Sequence, residues 1–204
     1  IVSECSGINH PAWMNHIEWK GKDAYPLLRK AVEDPEHYRK DVVRNEMFKA
    51  LGYYVTESSG HNSEYNWWFR KRPELIEKYC TEKLCVGWNS GEHGYILNYY
   101  TEAAESWQKN LEDYAEGRVP INLTRSGEYA SRITRGLMFN ETTKFNATVP
   151  NTGLIPNLPE RCAVEVPVIA DKNGFSPIYM GPLPLQSVAL NHINTMVSEL
   201  TVES

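Results

Sequence analysis

The sequence predicts an α+β fold, and three observations carry that reading. The first third of the chain reads mostly helical, a β-rich stretch from Cys162 contains a strong turn, and helical periodicity resumes from Pro184. The chain opens on what reads as the end of a strand running into Gly7-Ile8-Asn9-His10. It has no initial methionine, so it reads as a fragment. Asp23 to Val32 sets Tyr25, Leu27, Leu28 and Val32 at helical spacing before Pro35 interrupts. Asp41 to Leu51 does the same with Val42, Val43, Met47 and Leu51, and Gly52 is a natural stop. Tyr53 to Thr56 is a short β-prone run. Glu57 to Asn66 is polar and predicts a loop, after which Trp67-Trp68-Phe69 resumes apolar character ahead of Pro73.

Glu74 to Lys83 predicts a helix with Leu75, Ile76 and Tyr79 on one side. Thr101 to Glu116 is the clearest helix, with Ala104, Trp107, Leu111 and Tyr114 as its core stripe and Gly117 closing it. Another starts near Ser126 and uses Tyr129 or Ala130, Ile133 and Leu137. Cys162 to Ala170 is a strand, Asp171-Lys172-Asn173-Gly174 a turn, and Phe175 to Met180 the partner strand, with Pro177 marking an edge or bulge. From Pro184 the stripe Leu185, Val188, Ala189, His192, Met196 and Leu200 runs on without a stop signal, so the C-terminus also reads as truncated.

Composition narrows the function classes. A chain of 204 residues with 41% hydrophobic and 23% charged residues is globular and suits one domain. Acids exceed bases by 26 to 21, and no basic run exceeds Arg70-Lys71-Arg72, which argues against a nucleic-acid partner. No apolar run approaches the roughly 18 residues of a membrane span, and no signal peptide precedes Cys5, so the expected place is the cytoplasm. The four cysteines are read as reduced thiols, because Cys80 and Cys85 lack a second metal-binding pair. The Asn-x-Ser/Thr triplets at Asn122, Asn140 and Asn146 are then read as chance.

Two histidines stand out. His10 follows Gly-Ile-Asn at a strand end or turn, a place that often presents ligands. His61 lies among Asn62, Glu64 and Tyr65. The two could share a pocket, or each could be solvated or satisfied by backbone; the other four histidines read as structural. No dinucleotide-binding glycine motif, P-loop or Ser-His-Asp order is present, and no carboxylate pair can be picked from the acids. Residue by residue, the reading stops at an α+β domain with a polar site around His10 and His61.

Four segments in order extend it. They are Gly7-Ile8-Asn9-His10-Pro11-Ala12-Trp13; Val43-Arg44-Asn45-Glu46-Met47-Phe48 leading to Val55-Thr56-Glu57-Ser58-Ser59-Gly60-His61-Asn62-Ser63-Glu64-Tyr65; Ser126-Gly127-Glu128-Tyr129-Ala130-Ser131; and Val149-Pro150-Asn151-Thr152-Gly153-Leu154-Ile155-Pro156-Asn157-Leu158-Pro159 running into Val164-Glu165-Val166-Pro167. Together they resemble glycoside hydrolase family 4, in its α-galactosidase (melibiase-like) branch, over nearly the whole chain.

The resemblance implies a domain over residues 1–204 similar to the C-terminal half of lactate and malate dehydrogenases. It is the substrate and metal side of an enzyme whose NAD-binding Rossmann domain lies outside this chain. It implies NAD and a divalent metal, typically Mn2+, as cofactors, and an α-glycoside substrate cleaved by oxidation at C3, deprotonation at C2, elimination and water addition. His10 matches the metal-ligand histidine. Asn9 matches a residue holding substrate hydroxyls or the metal-side oxygen. Tyr65 lies near the tyrosine base, with His61, Asn62 and Glu64 as rival or supporting groups. Tyr129, with Glu128 and Arg125, falls at the substrate or subunit interface, and Asn151 in a motif that approaches cofactor or sugar. Cys5 does not occupy the family's metal-cysteine position. Homo-dimers or tetramers are implied, and the 204 residues alone are expected to be inactive. α-Galactose leads as the sugar, with α-glucose and α-galacturonic acid as alternatives; the last gains weight if Arg70, Lys71 or Arg72 faces the pocket. A non-catalytic sugar-binding or assembly module is the rival function.

Overall fold

The computed structural model describes residues 1–80, 95–120, 122–125 and 127–204. Among them, seven strands form one sheet: β1 (Val2–Gly7), β2 (Ala12–Trp19), β3 (Lys22–Asp23), β4 (Tyr54–Val55), β5 (Thr143–Pro150), β6 (Ala163–Asp171) and β7 (Gly174–Pro177). Its main path runs β3-β2-β1-β6-β5, with β4 beside β2 and β7 beside β6. Every pairing is antiparallel. The helices are α1 (Tyr25–Ala31), α2 (Pro35–Arg39), α3 (Val42–Leu51), α4 (Ser59–Tyr65), α5 (Pro73–Cys80), α6 (Tyr95–Ala115), α7 (Ala130–Phe139) and α8 (Leu185–Glu203), with a 3-10 turn at Trp67–Phe69. The α+β expectation holds. Among the described residues no helix is long and apolar enough to cross a membrane.

Local chemistry explains the connections. β2 turns into β3 through Lys20 and Gly21, both with left-handed φ (53° and 76°), which suits the twist of a two-residue hairpin. Pro35 starts α2 as well as interrupting α1, because Asp34 caps it by accepting from the Glu36 N–H at 2.9 Å. α3 ends at Gly52, at φ 79°, whose N–H reaches back to Phe48 O. β6 enters β7 through the expected turn, with Asp171 paired to Gly174 and the Asn173 N–H held by Asp171 Oδ1 at 2.7 Å. At Gly136, α7 lies so close to β6 that an added Cβ would stand 2.8 Å from Ala170 O.

Three buried clusters hold the layers together. Trp13 of β2 packs with Val42, Val43 and Met47 of α3, Val55, Phe69, Tyr79 and Cys80. Val164, Val166 and Val168 of β6 pack with Ile155, Leu158 and Leu183. Tyr25, Val32 and Phe48 form the third.

Several expectations change. The loop predicted over Glu57 to Asn66 contains α4, a helix with a polar buried face. Ser63 Oγ donates to Gly60 O (2.6 Å), and Asn66 Nδ2 donates to Asn62 O (2.8 Å), so directional bonds replace the apolar stripe that periodicity looks for. β2, β3 and β5 were not anticipated. β2 runs from fully buried Trp13 to the exposed end at Trp19 without clean alternation. The stripe on α6 is not core: Trp107, Leu111 and Tyr114 are exposed. On α8 the pattern inverts, with Ser187, Asn191 and Thr195 buried while Leu185, Met196 and Leu200 are exposed. α7 begins at Ala130 with Tyr129 as its N-cap, and β7 ends at Pro177, short of Met180. Ser126, residues 81–83 of the helix predicted over Glu74 to Lys83, Cys85 and His93 lie outside the described residues.

Candidate functional site

The turn between β1 and β2 carries Asn9 and His10, and His10 sits in the left-handed region at φ 70°. β4 reaches this turn from the other side. The Thr56 N–H donates to Ala12 O (2.9 Å), and the Thr56 hydroxyl lies 3.2 Å from the carbonyls of His10 and Ala12. Glu57, the next residue, places Oε2 2.7 Å from His10 Nδ1. Its other oxygen accepts from the Ser58 N–H (2.8 Å) and hydroxyl (3.1 Å). Burial pushes the Glu57 carboxyl up, but the bonds from His10 and Ser58 outweigh it and hold the group below the usual carboxylate range.

α4 follows directly and is fixed from its first residue. The Ser59 hydroxyl donates to Asp41 Oδ1 and accepts from the Val43 and Arg44 N–H groups (3.0 and 3.3 Å), which ties the start of α4 to the start of α3. Arg44 spans the same junction. Its Nη1 meets Asp41 Oδ2 at 2.9 Å, Nε donates to Glu57 O at 3.0 Å, and Nη2 donates to Thr56 O. Residues four apart share a helix face, so His61 and Tyr65 point the same way.

They point at His10. The His10 and His61 rings lie 4.5 Å apart, Tyr65 stacks on His10 at 4.9 Å and 18°, and Tyr65 meets His61 edge-on at 5.2 Å. His61 Nδ1 is 3.1 Å from Glu64 Oε2. The Tyr65 phenol is pushed up by burial and by the Glu57 and Glu64 carboxylates.

One ligand atom each from His10, Glu57 and His61 all fall within 4.8 Å of one another. Two imidazoles and a carboxylate are a donor set for a divalent transition metal. With Nδ1–H of His10 given to Glu57, Nε2 keeps its lone pair; a carboxylate commonly orients a ligating histidine this way.

The site residues expected from sequence therefore divide. His10, His61 and Tyr65 come together, with Asn9 at the same turn, its Nδ2 donating to Glu165 Oε2 at 3.2 Å. Asn62 does not face the site: it is buried, donates to Met47 Sδ and supports Asn66. Asn151 is also buried, and its carboxamide is spent within its own loop on Ile155 N–H and the carbonyls of Ile155, Leu158 and Pro159. Tyr129 lies outside the ring cluster, beside Phe145, with its hydroxyl donating to Asn146 O at 3.4 Å. Arg70 donates to Ser63 Oγ (2.9 Å), Lys71 lies over Trp67 and Arg72 pairs with Glu74, so each member of the basic run has a local partner. Glu57 is the site residue that sequence reasoning passed over. Its position at a strand end directly before the His61 segment was the available signal.

The sequence profile of the "Family 4 glycosyl hydrolase C-terminal domain" matches residues 5–204. The chain is 38% identical to an alpha-galactosidase from Bacillus subtilis (100% of this chain, 45% of the relative) and 32% identical to an alpha-galactosidase from Rhizobium meliloti (98% and 40%). Its fold is similar to that of the 6-phospho-beta glucosidase from Thermotoga maritima, solved with manganese, NAD+ and glucose-6-phosphate, at TM-score 0.64 and 17% identity (99% of this chain, 44% of that one). The chain thus spans less than half the length of these relatives. With the profile covering nearly every residue and the relatives aligning from end to end of it, the chain belongs to the family 4 glycosyl hydrolases, in which it matches the C-terminal domain.

Proposed function

We propose that residues 1–204 are the metal- and substrate-side domain of an NAD- and Mn2+-dependent α-glycosidase, with α-galactosides as its substrate class, and that NAD is held by a domain outside this chain. The observation that carries the proposal is the gathering of ligand atoms from His10, Glu57 and His61 within 4.8 Å of one another, with the Tyr65 ring stacked on His10. The similarity to two alpha-galactosidases supports the sugar.

In this reading His10 and His61 hold the cation, and Glu57 either joins them or fixes the His10 tautomer. When bound, NAD would supply hydride acceptance and return at the sugar, and Mn2+ would supply Lewis-acid stabilisation of negative charge. Tyr65, once its phenol has given its own proton to solvent, accepts a proton at its phenolic oxygen. Its stacking on His10 sets that oxygen's place, and a cation at the neighbouring cluster opposes the carboxylates that now raise its pKa. Asn9, exposed at the tip of the turn, hydrogen-bonds a sugar hydroxyl.

Calorimetric titration of the chain with Mn2+ tests the centre. The expected result is one site, lost in His10→Ala and weakened about 10–100-fold in Glu57→Gln. In a full-length protein carrying this chain, hydrolysis of an aryl α-galactoside should require both NAD and Mn2+ and vanish in His10→Ala. Hydrolysis without NAD, or untouched by loss of His10, would falsify the mechanism.

A further inference from the structure

We propose that Glu165 is a positioning residue that fixes the orientation of the Asn9 carboxamide, so that Asn9 offers the sugar an acceptor oxygen rather than a donor; this rests on the reading of Asn9 given above. β6 is apolar on one face, where Val164, Val166 and Val168 are buried. Glu165 lies between them on the opposite face, paired across the sheet with Gly7, two residues before Asn9. Its Oε2 accepts from Asn9 Nδ2 at 3.2 Å, while Oε1 lies 3.4 Å from Asn146 Nδ2 and 4.0 Å from the Cys5 thiol. Each of these three neighbours presents a donor to the carboxylate.

That arrangement dictates the amide. An ionised carboxylate only accepts hydrogen bonds, so Asn9 must turn its NH2 toward Glu165 and its Oδ1 away. Glu165 is the sole side-chain hydrogen-bond partner of Asn9 among the described residues, so nothing else holds the carboxamide in one of its two orientations. A sugar hydroxyl that donates to Oδ1 leaves its own lone pairs unclaimed by Asn9. The flipped amide would compete for those lone pairs. Fixing the amide in advance is preorganisation, delivered by a residue that need not touch the substrate.

The test is nuclear magnetic resonance of the Asn9 side-chain amide in the chain, compared between wild type, Glu165→Gln and Glu165→Ala, beside Mn2+ titration and thermal melting of each. The bond from Asn9 to a charged acceptor should slow exchange of that NH2 with water about tenfold relative to a free asparagine. Glu165→Ala should abolish the slowing and Glu165→Gln, whose amide donates as well as accepts and carries no charge, should reduce it, while Mn2+ affinity stays within about threefold, since His10 is held independently by Glu57 and Thr56. Unchanged exchange in Glu165→Ala overturns the proposal. So does a joint fall of Mn2+ affinity and melting temperature, the mark of a general structural role. Failure of the wild-type chain to bind Mn2+ would instead strike the metal reading and leave the amide result to decide the part played by Glu165.

Discussion

α4 and α8 both bury polar residues, and they do so to different ends. In α4 the buried set is Ser59, Asn62 and Ser63, joined by Asn66, and each finds a partner: Ser59 with Asp41 and two backbone amides, Asn62 with Met47 and Asn66, Ser63 with Gly60. In α8 the buried set is Ser187, Asn191 and Thr195. There Asn191 Nδ2 donates to Pro11 O at 2.7 Å, but Asn191 Oδ1 and Ser187 Oγ make no hydrogen bond with the described residues. The outer side of α8 exposes Ile193, Met196, Val197, Leu200 and Val202. Directional bonds fix angle and register more tightly than apolar contact. The helix that brings His61 and Tyr65 to the candidate centre is the one built from them, whereas α8 is fastened by single hydrogen bonds from Gln186, Asn191 and His192 and by the half-buried Val188 and Leu190, and gains little from its outward residues.

Substitutions can break or sharpen that contrast. The largest effect should come from Ser59→Ala, which leaves the Val43 and Arg44 N–H groups at the start of α3 without their acceptor and removes one of the bonds to Asp41, which keeps those from the residue-59 N–H and Arg44. A loss of about 2–3 kcal/mol in denaturant unfolding is expected. Asn191→Ala should cost less, about 1 kcal/mol, because it removes an unpartnered oxygen along with the bond to Pro11 O. If Asn191→Ala proves the more damaging of the two, α8 is the better-built helix and the contrast is wrong. Leu200→Ser and Met196→Ser should change stability by no more than about 0.5 kcal/mol, as expected of exposed sites. Larger losses would mean that the outer face of α8 is covered in solution.

The smallest effect concerns acid. The Glu4 carboxyl is held below the usual range by its hydrogen bond and attraction to Lys144, 2.8 Å away. A lowered folded-state pKa contributes stability above the unfolded-state value and loses it as pH falls through the folded one. Lys144→Ala should therefore lower the melting temperature slightly at neutral pH, because the pair is exposed, leave it unchanged in strong acid, and shallow the decline between the two by the same small margin. An unchanged acid slope would show that the pair adds nothing.

Elements that announce themselves by apolar period or turn chemistry were legible in the sequence. α3 with its Gly52 stop and the turn at 171–174 are read from local residues alone. α4 was not, since Ser-Gly-His-Asn-Ser-Glu-Tyr has no apolar stripe and its burial depends on Asp41 and Met47, far back in the chain. The exposed stripes of α6 and α8 fail in the reverse sense: periodicity names an apolar face but not what it meets. At the site, His10, His61 and Tyr65 were visible as residue types within motifs, and the structure gathers them. Glu57 was not singled out, because no spacing rule links positions 10 and 57. Asn62 and Asn151 show why a polar residue in a motif need not line a pocket. A buried carboxamide can brace a loop as well as a ligand.

The left-handed backbone at His10 sets a trade-off. A side chain with a Cβ costs roughly 1–2 kcal/mol in that region, and glycine avoids the cost. His10→Gly should therefore melt above His10→Ala although both lack the imidazole. By that margin, a position suited to glycine on conformational grounds carries a histidine, and stability is given up where the candidate ligand stands.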